Sequence, residues 1–399
     1  MAAAIFGCVG IVMPSEHKNR RPDPRTMTQS PGIDWQTLLV PFDENADRVA
    51  LARHRQAKLW RGETPAAWPI CCSGDLTPEQ DRGLPTPNFK EAFYDRELML
   101  GGQVRAALAA VNGGSDAVPS VRVNFGTGNA LACVGLEQAI YADKMPWLHE
   151  RLTKEQIAAL EPDDIQPRGS FATGLEFMRY YRSVLGDRLA VFCMDTQGPF
   201  DLAHLMYGDE LFLALYDDPP FVHHLMELCL EMGKRIHRWM KEINGEPIAA
   251  HHHGCAVYGE NMGIRICEDT PVLISPDAMD EFAMPYTRRL AQEFGGAWVH
   301  YCGRNDHLTA KVCEIPEVRG INFGHIPGKE HDHPFEEDME LIAQSAKVYF
   351  GNWPRRAGEN DRSYLERLHR FASRGALLPV VNNRDFPSND ALLEYWYSL

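Results

Sequence analysis

The sequence lacks any run of about twenty apolar residues, which is the length that a membrane-spanning helix requires. The apolar start, residues 1–13, is shorter, and the basic residues follow it rather than precede it. A secretory signal has the opposite order and a longer apolar segment. The sequence therefore predicts neither a membrane span nor a secretory leader.

Basic residues are also scarce. The chain has 40 Lys and Arg against 55 Asp and Glu, which gives a formal net charge of −15. Nucleic acids and anionic membranes are held by basic patches, which this balance does not favour. We therefore expect a small-molecule substrate, with no nucleic-acid and no membrane partner.

The cysteines lack the spacing of a disulfide scaffold. None of the ten lies in a CxxC pair, and no short regular spacing relates them. In a chain of 399 residues they are typical of reduced, mostly buried thiols. This usage predicts a cytoplasmic protein.

The first part of the chain differs in composition from the rest. Residues 14–34 are rich in proline and charge, which is typical of disorder. We predict a disordered extension over residues 1–26, a helical segment over 27–64 and one folded domain over 65–399. Met1 and Met27 both remain open as the natural start.

From about residue 65, short β-rich runs alternate with longer helical stretches, which indicates a mostly parallel sheet. The predicted strands are 67–71, 120–125, 189–194, 247–250, 297–302, 319–323, 346–350 and 377–381. The predicted helices are 43–61, 89–111, 209–242, 277–294, 335–345 and 361–374. About eight strands over this length favour a single (β/α)₈ barrel. The alternative, a doubly wound sheet, would carry GxGxxG in an early turn, where this chain has only NFGTGN.

In such a barrel the active site lies at the carboxyl ends of the strands. The predicted strand 297–302 ends in His300-Tyr301-Cys302. Residues two apart on a strand face the same side, so the imidazole and the thiol point together. Nitrogen and sulfur are favourable zinc ligands, although a zinc site needs at least one further protein ligand. Packing alone also explains such a pair.

Several residues are candidates for the third ligand. His325 follows the next predicted strand and is the favoured one, because it lies on the same side of the barrel. The cluster His251 to His253 with Cys255 follows an earlier strand, and Glu268 and Asp269 offer carboxylates. A polar loop also accounts for the histidines.

At this point the sequence resembles the uroporphyrinogen decarboxylase superfamily. Residues 264–303 resemble its acidic pair, its "SPe…Py" helix and its strand ending in "hxCG". Residues 195–202 resemble its "GPftLa" segment, 215–222 its "dPe.v" helix start, and 351–352 its late glycine-rich turn. The likeness covers about residues 65–385 and implies the barrel fold.

The resemblance implies one of two chemistries. Uroporphyrinogen decarboxylase itself uses no metal and carries an arginine-rich segment near its first strand, which is missing from AWPICCSGDL at 67–76. The other branch contains zinc-dependent methyltransferases that act on corrinoid proteins and thiols, and it carries His-x-Cys at this position. That branch has a further Cys, but no cysteine follows Cys313 here. A related pattern has a Glu where this chain places His325.

We therefore expect a zinc-dependent methyl or small-group transferase, with zinc at His300, Cys302 and His325 and possibly with a corrinoid carried by a partner protein. Its acid–base groups would be Asp195, Glu268 and Asp269, and Arg304, Asn322 and Asn352 would bind the substrate. Solvated loops, a surface ion pair and turn preferences are the structural explanations for these six residues. The functional alternatives are a metal-free decarboxylase (a lyase) of a porphyrin precursor or another carboxylated substrate, and a barrel that carries a tetrapyrrole without turnover.

Deleting residues 1–26 should leave the melting temperature unchanged, because the segment has no helical or strand periodicity with which to pack. Differential scanning calorimetry of the full and truncated chains measures this. A drop of several degrees on truncation would show that the extension packs on the folded domain.

Overall fold

The computed structural model describes residues 32–305, 307–324 and 333–399. The predicted extension over residues 1–26 and the predicted ligand His325 both lie outside the described residues. The described part opens with two helices, α1 (Trp35–Glu44) and α2 (Ala46–Trp60), where the sequence predicts one helix over 43–61. They separate at Asn45, whose side-chain amide donates to the carbonyl of Pro41.

The strands are mostly parallel, as the sequence predicts. They are β1 (Cys71–Cys72), β2 (Ser120–Val121), β3 (Ala190–Val191), β4 (His251–His253), β5 (Val257–Gly259), β6 (Ile264–Cys267), β7 (Ala297–Cys302), β8 (Val318–Gly324), β9 (Val348–Gly351) and β10 (Leu377–Val381). A six-stranded parallel sheet has the order β1-β10-β9-β8-β7-β6, with a separate parallel pair, β2 and β3. Within the described residues these ladders do not join into one closed ring.

Two differences from the predicted strands bear on the site. Residues 247–250 form a turn, closed by Ala250 N donating to the carbonyl of Pro247 at 3.0 Å, rather than a strand. The extended segment comes one residue later, as β4, which pairs antiparallel with β5. The sequence prediction also misses β6, the neighbour of β7.

Helices fill most of the connections between the parallel strands. They are α3 (Pro78–Gly83), α4 (Phe89–Tyr94), α5 (Arg96–Asn112), α6 (Lys154–Ala158), α7 (Gly169–Leu185), α8 (Pro199–Tyr207), α9 (Glu210–Asp217), α10 (Pro219–Asn244), α11 (Pro276–Ala278), α12 (Met284–Glu293), α13 (Leu308–Cys313), α14 (Phe335–Gln344), α15 (Asp361–Ala372) and α16 (Asn389–Ser398). In the described chain, no helix combines the length and apolarity that crossing a bilayer requires.

Capping side chains divide two helices that the sequence predicts as continuous. Asp95 accepts hydrogen bonds from the backbone N–H groups of Glu97 and Leu98, which starts α5 directly after α4. Asp218 accepts from Phe221 N and starts α10, with Pro219 in its first turn. An aspartate at such a position satisfies backbone donors that have no partner inside the helix.

Strand β7 divides its side chains between two faces. Trp298 is fully buried, with its ring centroid 4.7 Å from that of Phe350 and 4.5 Å from that of His253. His300 and Cys302 follow it at two-residue intervals and share its face. Tyr301 faces the other way and bonds Thr309 in α13 at 2.6 Å. Trp298 therefore forms the packed floor beneath the His-x-Cys pair.

Trp298→Ala should lower the free energy of unfolding by about 3–5 kcal/mol, because it leaves a cavity in a close-packed aromatic cluster. Urea unfolding followed by far-ultraviolet circular dichroism measures the change. The control is Leu213→Ala, since Leu213 is 61% exposed and should shift the free energy by less than about 0.5 kcal/mol. Equal effects of the two substitutions would contradict the assignment of Trp298 to the core.

Candidate active site

The carboxyl ends of β6 and β7 bring four potential metal ligands together. The strands pair in parallel, with Cys267 opposite His300. Ligand atoms of Cys267, Asp269 and His300 all lie within 4.8 Å of one another. Sγ of Cys302, which is disulfide-bonded in this structure, lies 3.5 Å from Nε2 of His300. We call these four residues the strand-end cluster; it offers two sulfurs, one nitrogen and one carboxylate.

Asn322 on β8 determines which ring nitrogen of His300 is available. Its side-chain nitrogen donates to the carbonyl of Phe350 at 2.6 Å, which orients the amide. Its oxygen then accepts from Nδ1–H of His300 at 2.7 Å. Burial, followed by the charge of Arg265, lowers the pKa of His300, which favours the neutral ring. Nε2 therefore carries the lone pair and points toward Cys302, as in a metal-ligating histidine.

Asp269 is held in place by backbone and side-chain bonds. One carboxylate oxygen accepts from Cys302 N at 2.6 Å, and the other accepts from the Cys267 thiol at 3.5 Å. Its own N–H donates to Asp201 at 2.9 Å, and Thr270 N donates to the same carboxylate at 2.7 Å. Burial and the neighbouring charge of Asp269 raise the pKa of Asp201 to about 7. Asp201 thus positions Asp269 against the cluster.

Glu268 lies between Cys267 and Asp269 in the sequence but takes no part in the strand-end cluster. Its side chain is fully buried and accepts from the hydroxyl of Thr287 at 2.8 Å and from Asp201 N at 3.3 Å. Burial, and then the charge of Asp201, raise the pKa of Glu268 well above its usual value. Its partners lie on α8 and α12, on the opposite side from Cys267.

Asp195, which follows β3, is clamped between two arginines. Its Oδ1 accepts from Nη1 of Arg122 and, at 3.2 Å, from Nη1 of Arg265 on β6. Burial raises the pKa of Asp195, but the charges of Arg122 and Arg265 outweigh that effect and the net shift is downward. Asp195 is therefore held as a carboxylate.

The other predicted site residues that the structure describes are not members of the strand-end cluster. Arg304 and Asn352 are both exposed. His252 bonds Glu246 at 2.6 Å and Arg53 at 3.0 Å, within the buried hairpin of β4 and β5. His325 lies outside the described residues. The roles predicted for the site residues stay predictions.

The sequence prediction missed Cys267, Asp201 and the two arginines. The signal for Cys267 was present in RICEDTP, where Cys267 and Asp269 are two residues apart, but it required β6 to be recognised as a strand beside β7. Arg122 directly follows the two residues of β2, inside a predicted strand. Its approach to Arg265 comes from the tertiary structure alone.

Surface grooves lie elsewhere. One of about 500 Å³ runs between α7 and α10, and one of about 330 Å³ lies along α10 beside Pro162. Neither is lined by residues of the strand-end cluster. The ligand donors, rather than a groove, therefore mark the candidate site.

The uroporphyrinogen decarboxylase (URO-D) family model matches residues 51–348, and the chain belongs to this family. Among solved structures, a methyltransferase from Methanosarcina mazei is similar with a TM-score of 0.60 and 17% sequence identity. The match covers 86% of this chain and 98% of that one, which shows a shared fold. No curated protein matches the chain. Membership of the family supports an enzymatic function.

Gly198→Ala should destabilise the site region. A Cβ at Gly198 would lie 2.2 Å from Oε1 of Glu268 and 2.8 Å from Cγ2 of Ile266, both buried and tightly packed. We expect a loss of about 1–3 kcal/mol, measured by urea unfolding.

The matched control for Gly198→Ala is Gly102→Ala in α5, where the nearest atom would be 4.0 Å away. That change should be neutral or stabilising by up to about 1 kcal/mol. If Gly198→Ala is equally well tolerated, Glu268 is less tightly packed than the structure shows.

Proposed function

We propose that this chain is a zinc-dependent enzyme that transfers a methyl or another small group. Its substrate would be a small molecule, and a corrinoid carried by a partner protein would be one source of the group. The resemblance to the methyltransferase branch and the likeness to the Methanosarcina mazei methyltransferase support this class. The observation that carries the proposal is the strand-end cluster.

The donor set fits zinc. Thiolate, imidazole and carboxylate are its usual ligands, and a catalytic site uses three of them and leaves a fourth position open. We assign His300, Cys267 and, in its reduced form, Cys302 as the ligands. They come from adjacent strands, and His300 is oriented by Asn322 as a ligand should be. In this assignment Cys267 takes the place of the later cysteine of the methyltransferase branch, and His325 is the alternative.

The bound ion would lower the pKa of an acceptor thiol or hydroxyl, or polarise a leaving oxygen. The chain's own groups would do the rest. Of the three predicted acid–base carboxylates, Asp269 is the one that belongs to the strand-end cluster, so we assign it the proton transfer at the reacting atom. Asp201 would position Asp269, and the burial of Glu268 would leave it a structural role.

We also propose that the parallel strands complete a (β/α)₈ barrel. The six-stranded sheet and the parallel pair together supply eight parallel strands, and the last strand, β10, pairs with the first, β1. Between β3 and β6, the hydroxyl of Thr196 donates to the carbonyl of Arg265 at 3.1 Å and Gly198 N donates to that of Cys267 at 2.6 Å. These bonds support the proposed continuation of the ring between β3 and β6, where a regular ladder is missing.

Metal analysis of the purified chain tests the zinc proposal. Wild-type protein should carry about one zinc per chain and transfer the methyl group of methylcobalamin to a small thiol. Cys302→Ala and Cys267→Ala should lose metal and activity but remain folded, because each removes one of three ligands. Cys302→Ser should retain weak binding, since a hydroxyl is a poorer ligand.

The matched control is Cys313→Ala, a buried thiol at the end of α13, which should keep the metal. Loss of zinc in His325→Ala but not in Cys267→Ala would move the third ligand to His325. Wild-type protein that neither contains zinc nor gains activity from added zinc would refute the zinc mechanism.

A second candidate is a metal-free decarboxylase of a carboxylated substrate. The sequence argues against this chemistry because the arginine-rich segment near the first strand is missing. Arg122, which follows β2, and Arg265 on β6 nevertheless supply basic groups near the cluster. Metal content separates this candidate from the first.

A further inference from the structure

We infer that Arg122 and Arg265 form a subsite for one carboxylate group of the substrate. The inference deepens the proposed function, on which it rests for the position of the reacting atom. The two residues, called the arginine pair below, come from different parts of the sequence: Arg122 follows β2 and Arg265 lies on β6.

Protein acceptors engage only the Nη1 atoms of the arginine pair among the described residues. Both guanidinium groups donate through Nη1 to the same oxygen of Asp195. Nη1 of Arg265 also donates to the carbonyl of Thr196 at 2.9 Å. Among the described residues, Nε and Nη2 of both arginines have no hydrogen-bond acceptor, although the side chains keep 21% and 12% of their exposure. Donors that protein groups do not use therefore remain accessible.

The arginine pair brings two guanidinium groups to one place. Both converge on a single oxygen of Asp195. Asp269 also contributes a negative charge near Arg265, but its oxygens accept from Cys302 N and from Cys267 rather than from either arginine. The remaining donors of the arginine pair are therefore best matched by the two oxygens of a carboxylate.

The surroundings carry the same positive field. Burial, followed by the charges of Arg265 and Arg122, lowers the pKa of His253 well below its usual value, so this histidine adds no charge of its own. The guanidinium of Arg265 lies 5.7 Å from the ring centroid of Trp298, a cation–π contact that helps to hold the guanidinium in place. The unused edge of a guanidinium presents two parallel N–H groups, which match the two oxygens of a carboxylate.

The location of the arginine pair limits the size of the substrate. Arg265 and Cys267 are two residues apart on β6 and share a face, which separates them by about 7 Å along the strand. A carboxylate on the arginine pair would thus place an atom a few bonds away beside His300 and Cys267. The substrate class is a small carboxylic acid whose reacting group lies several bonds from its carboxylate.

Propionate binding to the purified full-length chain, measured by isothermal titration calorimetry, tests this inference. Arg122→Gln should weaken propionate binding by about tenfold or more, because it removes a charged donor pair. Asp195→Asn should tighten it, because the substitution removes the carboxylate that competes for the arginine pair. A merely structural role for these residues would weaken binding in both variants.

The controls separate this inference from the zinc proposal. Arg188→Gln removes a half-exposed arginine that also pairs with an aspartate, Asp43, at 3.1 Å, and it should leave propionate binding unchanged. Cys302→Ala should still bind propionate after losing its metal, so the subsite can stand even if the zinc mechanism fails. Circular dichroism verifies folding, and Arg122→Lys, which keeps the charge but loses the two-pronged donor, replaces Arg122→Gln if the latter does not fold.

Three results would overturn the subsite. One is the absence of propionate binding to wild-type protein, and another is unchanged binding in Arg122→Gln. The third is equal or tighter binding of methanesulfonate or inorganic phosphate, because the arginine pair would then not select a planar monoanion.

Discussion

The parallel pairing of β6 with β7 is the constraint on which the site depends. It places Cys267 directly across from His300, and the two-residue repeat of a strand then brings Cys302 and Asp269 to the same place. A shift of one residue in this register would turn Cys267 toward the helices and bring Glu268 inward. The fully buried position of Trp298 beneath His300 makes such a shift costly, because its ring is packed against Phe350 and His253.

Around this register, the molecule distributes its buried charges unevenly. On one side, Asp201 contacts Glu268 and Asp269, and burial with mutual repulsion raises the pKa of Asp201 and Glu268. On the other side, Asp195 is held as a carboxylate by two arginines. The carboxyls of Asp201 and Glu268 are thus more readily protonated, whereas Asp195 stays ionised; such perturbed pKa values are common at functional sites.

The likeness to other proteins and the local chemistry support different parts of the interpretation. The family match covers residues 51–348 and accounts for the fold. The methyltransferase from Methanosarcina mazei, at 17% identity, shares that fold. Fold alone does not determine chemistry in α/β proteins. The choice between metal-dependent group transfer and metal-free decarboxylation therefore depends on the strand-end cluster and the arginine pair, which are specific side-chain arrangements of this chain.

The sequence by itself determined the parallel α/β class, the bounds of β7 and β10, and the shared face of His300 and Cys302, because each follows from local periodicity within one segment. It also placed β8 and β9 to within two residues. Only the tertiary structure decided that Cys267 and Asp269 join His300 and that Arg122 meets Arg265. Those contacts link separate strands, and the order and register of strands in a sheet depend on packing between distant segments, which no local pattern encodes.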